Sequence, residues 1–403
     1  MTNATDQVRQ IASSRLVLTA FIVMGLFMLP FVAVLFQAPE LLGRDKVLTD
    51  FDAFHIAGTM ALQGRVADAY QAQLMLAMQQ SVTGTSSFMP WTYPPPYTLA
   101  MQALAQLPIW AAYLLFVVPG ALFYGLILRR IAGPWLPGVL IAILPAIPLL
   151  LRTGQNGFLT GGLVGWFLLA FLDRRRSAGV PLGLMIIKPH LAAGIALLSL
   201  LGRRWTAMAI AAAIVVAALA AATLAYGLAI WPAFLGSVGE ASAFLAAGFY
   251  PLHRMTSIYA AAWSMAAPAP LALALHALGA VVAIALLVAV WWRGAPPRVL
   301  AAATCAASLL VSPYNYDYDL TILGVAIAFV FPMLLEKARP WEFGGLLGLS
   351  WFATGYGFVV QSAMEAKDQP ATALGQVATL SLGAPALIAL FVWAWLILRR
   401  PGR

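Results

Sequence analysis

Eleven predominantly apolar stretches follow one another along this chain of 403 residues, and they constrain its fold more than any other feature. A helix needs about 20 apolar residues to cross the hydrocarbon core of a bilayer. Hydrophobic residues make up 62% of the chain and charged residues only 9%, whereas a soluble domain has about 25% charged residues. The sequence therefore predicts an all-α, polytopic membrane protein, and it argues against a soluble enzyme, a disordered chain or a nucleic-acid-binding module.

We expect these stretches to form a bundle of about 10–12 transmembrane or partly inserted helices, in one integral-membrane domain over residues 1–403. Stretch 97–129 contains Pro108 and is too long for one straight helix, so it is either one broken span or two helices. Stretch 179–202 carries Lys188 and Pro189 at its centre, and a charge at mid-bilayer is costly. We expect a hairpin of two half-helices there. The stretches are 16–37, 97–129, 135–152, 156–172, 179–202, 205–230, 271–292, 298–313, 318–335, 341–361 and 375–398.

The basic residues predict the orientation of the bundle. The net charge is +9, and sixteen of the 23 lysines and arginines can be threaded onto one side of the membrane. Cytoplasmic loops carry an excess of Lys and Arg, so we expect a multi-pass protein of the inner (plasma) membrane with both termini in the cytoplasm. The two long loops, residues 38–96 and 231–270, then face the extracytoplasmic (periplasmic) side.

Polar residues near the spans converge on that extracytoplasmic side. In a chain this apolar, such residues are functional candidates by default. Asp50 and Asp52 are candidate catalytic acids of the first loop. The candidate donor-binding residues are Tyr93, Gln155, Asn156, Lys188, His190, His253, Arg254, Tyr314, Asp317 and Asp319.

This combination of groups suits sugar transfer from a lipid-linked donor. A glycosidic transition state resembles an oxocarbenium ion, an acceptor hydroxyl needs a carboxylate base, and a leaving phosphate needs cations. A polyprenyl-phosphate sugar is the activated donor at a face that offers no nucleotide sugar. The alternative is a polytopic transporter or lipid flippase without transferase activity, but transporters usually contain internal repeats, and none is evident.

Several candidates also have a structural interpretation. Asp50 can cap a juxtamembrane helix, because aspartate is a favoured N-cap residue, and Asp52 can be a solvated loop charge. Lys188 can extend to the interface from a helix end. Gln155 and Asn156 can cap the helix that starts there, and this role is compatible with sugar or phosphate contacts.

Five short motifs follow one another along the chain: Asp50-Phe51…Phe54-His55…Ala57…Gly64…Tyr70, Tyr93-Pro94-Pro95 leading to Pro108, Gly154-Gln155-Asn156, Gly179…Gly183…Lys188-Pro189 and Ser312-Pro313…Asp317-Tyr318-Asp319. Their order resembles glycosyltransferase family 87, a group of integral-membrane GT-C enzymes that includes polyprenol-phosphate-mannose-dependent mannosyltransferases. The resemblance implies a GT-C bundle with amphipathic juxtamembrane helices in the first outer loop, a mannose-like donor sugar and a lipid or glycan acceptor. It also implies that the catalytic aspartate is Asp50.

The chain departs from the family pattern at three positions. Asp52 stands where the family usually has a small or apolar residue. Tyr316 and Tyr318 stand where many relatives have tryptophan and histidine, so a histidine role does not transfer to that turn. Because no second carboxylate is clearly placed as a nucleophile, we expect inversion at the anomeric carbon. The sequence demands neither a metal nor another cofactor, although Asp50 and Asp52 could bind a divalent cation loosely. The expected partners are the donor, the acceptor and membrane lipids.

Overall fold

The computed structural model describes residues 2–84, 88–365 and 379–401, and helices dominate all three ranges. These ranges contain no β-strand and a single antiparallel bridge, between Met255 and Tyr316. The helices are α1 (Thr2–Ala12), α2 (Arg15–Gln37), α3 (Asp50–Leu62), α4 (Val66–Ala69), α5 (Ala72–Thr83), α6 (Pro95–Leu104), α7 (Ile109–Ala132), α8 (Leu136–Ala142), α9 (Ala146–Thr153), α10 (Gly157–Leu172), α11 (Gly179–Leu184), α12 (Ala193–Leu201), α13 (Trp205–Tyr226), α14 (Ile230–Ala246), α15 (Ile258–Ser264), α16 (Ala269–Trp292), α17 (Pro297–Val311), α18 (Thr321–Lys337), α19 (Pro340–Glu365) and α20 (Gly383–Leu398).

The predicted all-α, polytopic membrane fold is confirmed. Within the described residues, six helical segments are long and apolar enough to cross a membrane. They are Asp6–Gln37, Ile109–Ala142, Trp205–Tyr226, Ala269–Trp292, Asp317–Lys337 and Pro340–Met364. The shorter apolar helices are Gly157–Leu172, Arg176–Ile187, Pro189–Leu201, Ile230–Ala246, Pro297–Val311 and Gly383–Leu398.

The proline positions decide how two predicted stretches are divided. Stretch 97–129 forms two helices, α6 and α7, which are separated just before Pro108. Stretch 135–152 was expected to be one span and instead forms the shorter helices α8 and α9, because Pro145 disfavours a helical conformation in the residue before it.

Two other boundaries also differ from the expectation. Stretch 205–230 ends its helix at Tyr226, followed by Gly227 with a φ of +76°. The second long loop, 231–270, contains the apolar helix α14, which buries one face through Ile230, Ala241 and Leu245. Residues 375–378 of the last predicted stretch lie outside the described residues, and its remainder contains α20.

The predicted hairpin of half-helices is present between α11 and α12. Two short 3-10 turns, Met185–Ile187 and Pro189–Ala192, connect them, and Lys188 lies between the turns with an extended φ of −142°. Pro189 cannot donate a backbone hydrogen bond, so the helix is interrupted here. The interruption leaves Lys188 at the tip of the hairpin.

The bundle has two chemically different ends. We call one the polar end, defined by Asp50, Gln155, Lys188 and Asp317; helices α3, α10, α12 and α18 begin there. The opposite, basic end contains most of the arginines, and its contacts include Arg204 with the Phe171 carbonyl, Arg400 with Glu342 and Lys337 with the Leu398 carbonyl.

Helices α10 and α18 form the centre of the bundle. In the hydrophobic window of α18, 83% of the residues are buried, whereas the corresponding share is 17% in α13 and 22% in α16. Helices α7 and α17 pack against this centre. The first residues of α10 and α18 are therefore held in the interior of the polar end, where the candidate site lies.

Candidate functional site

The start of α3 is fixed by Asp52 rather than by Asp50. The Thr49 backbone N–H and hydroxyl both donate to Asp52 Oδ2, at 3.0 and 2.9 Å. Lys46 Nζ lies 2.6 Å from Asp52 Oδ1, and it also donates to the Phe36 carbonyl. Asp52 thus caps the helix and attaches the preceding loop to it.

Asp50, the first residue of α3, has a different environment. Its Oδ1 accepts a hydrogen bond of 2.8 Å from Gln155 Nε2, while its Oδ2 is buried without a hydrogen-bond partner among the described residues. Burial raises the pKa of Asp50; the positive charges of Arg254 and Lys188 and the Gln155 hydrogen bond partly oppose the rise. Asp50 is therefore a carboxylate with one free oxygen and an increased affinity for a proton.

Gly154 allows Gln155 to reach Asp50. It ends α9 with a φ of +62°, in the left-handed region that glycine adopts without strain. A Cβ at this position would lie 2.6 Å from Phe51 Cβ, so only glycine lets the end of α9 approach α3 this closely. The next residue, Gln155, is thereby brought against the first residue of α3.

An aromatic and amide surface adjoins Asp50. Tyr93 donates through its hydroxyl to Gln155 Oε1 at 3.0 Å, and Asn156 Nδ2 donates to the hydroxyls of Tyr93 and Tyr97, each at 3.3 Å. The two tyrosine rings stack with centroids 4.5 Å apart. Asn156 occupies the N-cap position of α10, but its side chain makes no capping hydrogen bond. Its amide instead orders the tyrosine hydroxyls.

Lys188 is buried at the hairpin tip and paired with Asp319. Its Nζ lies 2.7 Å from Asp319 Oδ1, and neither side chain is more than 6% exposed. The same ammonium group lies 4.5 Å from the centre of the Tyr318 ring and 6.0 Å from that of Tyr93. Such burial excludes an extended lysine at the interface and makes the cation part of the interior of the polar end.

Arg254 forms the second buried ion pair of the polar end. Its Nε and Nη2 donate to the two carboxylate oxygens of Asp317, at 3.1 and 3.0 Å. Its guanidinium also lies 5.5 Å from the centre of the Tyr318 ring, which thus contacts both cations. This two-point geometry fixes the orientation of the guanidinium as well as its position.

Backbone contacts hold the Arg254–Asp317 pair in place. Thr256 N donates to the Asn315 carbonyl at 2.7 Å, and Asn315 Nδ2 donates to the Thr256 hydroxyl at 2.7 Å. On the other side, a Cβ at Gly357 of α19 would lie 2.7 Å from Arg254 Cα and 2.8 Å from Asp317 Oδ2. Helix α19 therefore packs directly against the pair.

The polar end brings together eight of the twelve candidates. They are Asp50, Tyr93, Gln155, Asn156, Lys188, Arg254, Asp317 and Asp319; hydrogen bonds and ion pairs connect neighbouring members, and the Tyr318 ring joins the Lys188 and Arg254 ion pairs. We call this set the polar cluster. No group of three or more His, Cys, Asp or Glu residues suited to a metal ion occurs in the part of the chain that the structure describes.

The other four candidates have different surroundings. Asp52 contacts Lys46 and Thr49, as described above. His253 Nε2 lies 2.9 Å from Gln361 Oε1, and burial lowers the pKa of this histidine to about 4. The other two are Tyr314, whose hydroxyl lies 3.5 Å from that of Ser242, and His190, which is exposed next to the hairpin tip.

Three residues of the site were missed by the sequence reasoning. Tyr97 lies four residues after Tyr93, in the first turn of α6, and this nearness in the sequence was an available indication. Tyr318 was noted as a departure from the family pattern but not as a contact of both cations. Gly357 belongs to a glycine-rich stretch of α19, and such a stretch indicates close approach of another backbone.

The arrangement supplies the groups needed to move a glycosyl unit. One carboxylate oxygen has no partner, two cations lie close to it, and the partly exposed ring of Tyr93, backed by Tyr97, offers an aromatic face for a sugar. The family model for glycosyltransferase family 87 matches residues 91–313, which include Gln155, Lys188 and Arg254. No curated protein and no solved structure matches the chain.

Proposed function

This chain belongs to glycosyltransferase family 87, and from that premise we propose that it transfers a sugar from a polyprenyl-phosphate donor to a hydroxyl of a lipid or glycan acceptor. Membership of the family makes it a glycosyltransferase of the membrane and favours an enzyme over the transporter or flippase alternative. The donor class, the mechanism and the side of the membrane are our proposal.

Asp50 is the general base in this scheme, and its free Oδ2 is the observation that carries the proposal. Of the aspartates at the polar end, Asp52, Asp317 and Asp319 each contact a cationic side chain directly, whereas Asp50 is held by the neutral amide of Gln155. A base needs a lone pair that no other group occupies and a pKa near the working pH. The raised pKa of Asp50 and its unpaired oxygen both support this role.

Lys188 and Arg254 bind the donor phosphate in this scheme. Charge-assisted hydrogen bonds to phosphate are stronger than neutral ones, and both cations lie close enough to Asp50 to lower its pKa. Asp319 and Asp317 keep these two side chains charged and oriented in the buried polar end. A phosphate placed between the cations would adjoin the tyrosine surface, where the sugar would stack.

The reaction is a single displacement. The acceptor oxygen attacks the anomeric carbon from the face opposite the phosphate, and its proton passes to Asp50 Oδ2. The bond between the anomeric carbon and the phosphate oxygen breaks, and polyprenyl phosphate leaves with both bonding electrons. Because Asp317 and Asp319 are each engaged by a cation, neither is available as a nucleophile, and inversion of configuration follows.

We propose a mannose-like hexose as the sugar and the extracytoplasmic face as the location of the site. The partly exposed ring of Tyr93 supports a hexose, since it offers an apolar face that Tyr97 and the amides of Gln155 and Asn156 hold in place. The arginines at the opposite end support the orientation through the positive-inside rule. The reaction needs no metal in this proposal, because the cations of the protein itself neutralise the phosphate.

A donor panel tests the proposal. The protein in detergent is supplied with polyprenyl-phosphate mannose, glucose or arabinose, and separately with nucleotide sugars, together with extracted membrane lipids. We expect transfer from a polyprenyl-phosphate sugar only, and an anomeric configuration in the product, determined by NMR, opposite to that of the donor. The Asp50→Asn variant serves as the blank. Transfer from nucleotide sugars alone would refute the donor class, and retention would refute the single displacement.

A further inference from the structure

Three neighbouring helices, α10, α12 and α16, end at the basic end in the same type of turn. In each turn, a backbone N–H donates to the carbonyl five residues earlier. These hydrogen bonds join Arg175 to Ala170, Arg204 to Ser199 and Ala295 to Val290. The turn needs a left-handed residue immediately before the donor, and glycine is the usual residue at that position.

Two of these three turns have an arginine in the left-handed position. In the turn after α16 the residue is Gly294, with a φ of +60°. After α10 it is Arg174, with a φ of +57°, and after α12 it is Arg203, with a φ of +50°. A residue with a side chain is less stable than glycine in this conformation. The choice of arginine against the backbone preference indicates that the two charges have a role of their own.

Phe171, in the last turn of α10, is the common contact of the three helix ends. Arg204 Nη2 donates to the Phe171 carbonyl at 3.0 Å, and its guanidinium lies 4.8 Å from the centre of the Phe171 ring. A Cβ at Gly202 would lie 2.7 Å from the same ring. The ring of Trp291, on α16, meets it edge to face with the centroids 6.4 Å apart. These contacts hold the arginine turns of α10 and α12 next to each other.

The surface formed by the three turns is strongly cationic. Asp173 is the only acidic residue in them, and it pairs with Arg175 at 3.0 Å, where both side chains are largely exposed. Each helix end adds a partial negative charge of about half a unit, which the remaining five arginines exceed. None of these five forms an ion pair within the described ranges of the chain. The six arginines are Arg174, Arg175, Arg176, Arg203, Arg204 and Arg293.

Two exposed tryptophans adjoin the cationic turns. Trp205 begins α13 and is 60% exposed, and Trp292 ends α16 and is 78% exposed. Tryptophan is enriched where the hydrocarbon of a bilayer meets its headgroups. The helices that carry these tryptophans are largely unburied and apolar, so their surfaces face acyl chains. The arginines therefore lie at the level of the lipid headgroups.

We propose that these turns bind the headgroup of an anionic phospholipid in the leaflet at the basic end, with its phosphate at Arg174 and Arg203 and its acyl chains along α13. Arginine binds phosphate through strong, charge-assisted hydrogen bonds, and basic pockets between membrane helices bind acidic headgroups. The position of Trp205 directly after Arg204 favours a lipid over a soluble anion. The site is separate from the polar cluster and does not depend on the proposed function.

The site joins the far ends of two helices that hold residues of the polar cluster. Helix α10 begins directly after Gln155 and Asn156, and α12 follows Lys188 in the hairpin. Helix α10 also belongs to the centre of the bundle. A ligand that binds only the folded protein stabilises it, so a headgroup that bridges the ends of α10 and α12 should raise the unfolding temperature of the bundle.

A double substitution tests the inference. Arg174→Gly with Arg203→Gly removes two charges and keeps both turns, because glycine adopts these φ values without strain. The matched control, Arg9→Gln with Arg15→Gln, removes two exposed charges from α1 and α2 at the same end of the bundle. Each protein, in a neutral detergent at low salt, is titrated with phosphatidylglycerol and separately with phosphatidylcholine of the same acyl chains. The unfolding temperature is measured at each lipid concentration.

We expect phosphatidylglycerol to raise the unfolding temperature of the wild type saturably, and phosphatidylcholine to leave it nearly unchanged. The variant with both glycines should need about tenfold more phosphatidylglycerol for half of the rise, as expected for the loss of two phosphate ligands. The control should stay close to the wild type. If both variants respond alike, the effect reflects overall charge and the assigned site is wrong. No rise in the wild type, or an equal rise with phosphatidylcholine, would also overturn the proposal.

A labelling experiment on the wild type covers the case in which the double variant does not fold. Phosphatidylglycerol with a photoactivatable group next to its phosphate is added, and the labelled peptides are mapped. We expect labels on residues 173–178 and 202–206, removed by excess phosphatidylglycerol but not by phosphatidylcholine or by soluble glycerol phosphate. Labels spread evenly over the loops of the basic end would show general contact with the bilayer. Equal competition by glycerol phosphate would show a site for small anions, and either result would overturn the proposal.

Discussion

Two regions of the polar end contain the same short pattern, Asp-x-Asp at the start of a helical segment, and use it differently. One is Asp50-Phe51-Asp52 at the start of α3, and the other is Asp317-Tyr318-Asp319 in the turn before α18. In both, the second aspartate accepts from the backbone N–H three residues earlier and pairs with a lysine. Asp52 binds Thr49 N and Lys46, and Asp319 binds Tyr316 N and Lys188.

The first aspartates of the two regions differ. Asp317 is bound by Arg254 through both carboxylate oxygens, whereas Asp50 accepts one hydrogen bond from Gln155 and retains a free, buried oxygen. Burial is common to all four carboxylates and does not distinguish a base from a structural acid. The distinguishing property is the partner of each carboxylate. A paired cation stabilises the ionised form and opposes protonation, whereas the neutral amide of Gln155 leaves Oδ2 of Asp50 able to accept a proton.

The largest effect is expected for Asp50→Asn, which is nearly isosteric. Loss of the proton acceptor should reduce kcat by roughly 10²- to 10⁴-fold. The stability should stay within about 1 kcal/mol of the wild type, because no cation depends on Asp50 for a direct contact. Steady-state kinetics and thermal unfolding in the same detergent measure both quantities. If Asp50→Asn stays active, Asp50 is not the base, and the proposed difference in role between Asp50 and Asp317 is wrong.

The next effect is on stability, at the matching position of the other region. Asp317→Asn should destabilise the protein by roughly 3–5 kcal/mol, because Arg254 is left buried without its anionic partner. Thermal unfolding should show a clear drop that Asp50→Asn lacks. The double variant Asp317→Leu with Arg254→Met should recover much of the stability but no activity, since the phosphate ligand is gone. Equal unfolding temperatures for the two single Asn variants would contradict this assignment.

A smaller effect is expected for Asp52→Asn. The substituted amide oxygen still accepts from Thr49, but Lys46 loses its ion pair. Because Lys46 is 16% exposed and keeps its hydrogen bond to the Phe36 carbonyl, the loss should be smaller than for Asp317→Asn, about 1–3 kcal/mol. Activity should fall far less than in Asp50→Asn, and this comparison within one helix turn uses the same two assays. A loss of kcat as large as that of Asp50→Asn would make Asp52 the better candidate for the base.

Gln155→Leu should move a pH profile rather than abolish activity. The Gln155 hydrogen bond lowers the pKa of Asp50, so its removal should raise that pKa further. The base is active when deprotonated, and activity is lost as the pH falls through its pKa. In the wild type, kcat/KM should therefore fall on the acidic side at a pH above the usual pKa range of a carboxyl group. In Gln155→Leu, this fall should occur at a still higher pH. If the acidic limb does not shift in Gln155→Leu, the group that titrates in the profile is not Asp50.

The smallest effect is expected for metal removal. Prolonged dialysis against a chelator should leave kcat within error of its starting value, since Lys188 and Arg254 neutralise the phosphate in our scheme. The contradicting outcome is a loss of activity on dialysis that added divalent cations reverse. It would show that the site uses a metal ion in addition to Lys188 and Arg254.

The apolar pattern was sufficient to predict the class of fold and the hairpin at Lys188, because membrane crossing and helix breaking depend on local properties. The lengths of individual helices were less predictable. A helix breaks at Pro145, whereas α7 continues through Pro119 in its interior. The presence of a proline therefore does not by itself predict where a helix ends. The helical nature of 230–246 depends on packing of one face against its neighbours, which the pattern alone does not give.

The sequence predicted which residues form the polar cluster better than it predicted which acid pairs with which cation. Chemical reasoning selected Asp50, Lys188, Arg254, Asp317 and Asp319, which do lie together. It did not reveal which acid each cation binds, since Lys188 and Asp319 are 131 positions apart in the sequence, and no spacing rule links two such residues. The same reason explains why Tyr97 and Gly357 were missed.

The four helix starts at the polar end have an electrostatic consequence. The side chains of the polar cluster include three carboxylates and two cations, a balance that by itself would repel an anion. Each helix start adds a partial positive charge of about half a unit from its aligned peptide dipoles, and α3, α10, α12 and α18 all begin within a few residues of the cluster. The main chain thus compensates for the extra acid, so that Asp50 can act as a proton acceptor at a polar end that still attracts an anion.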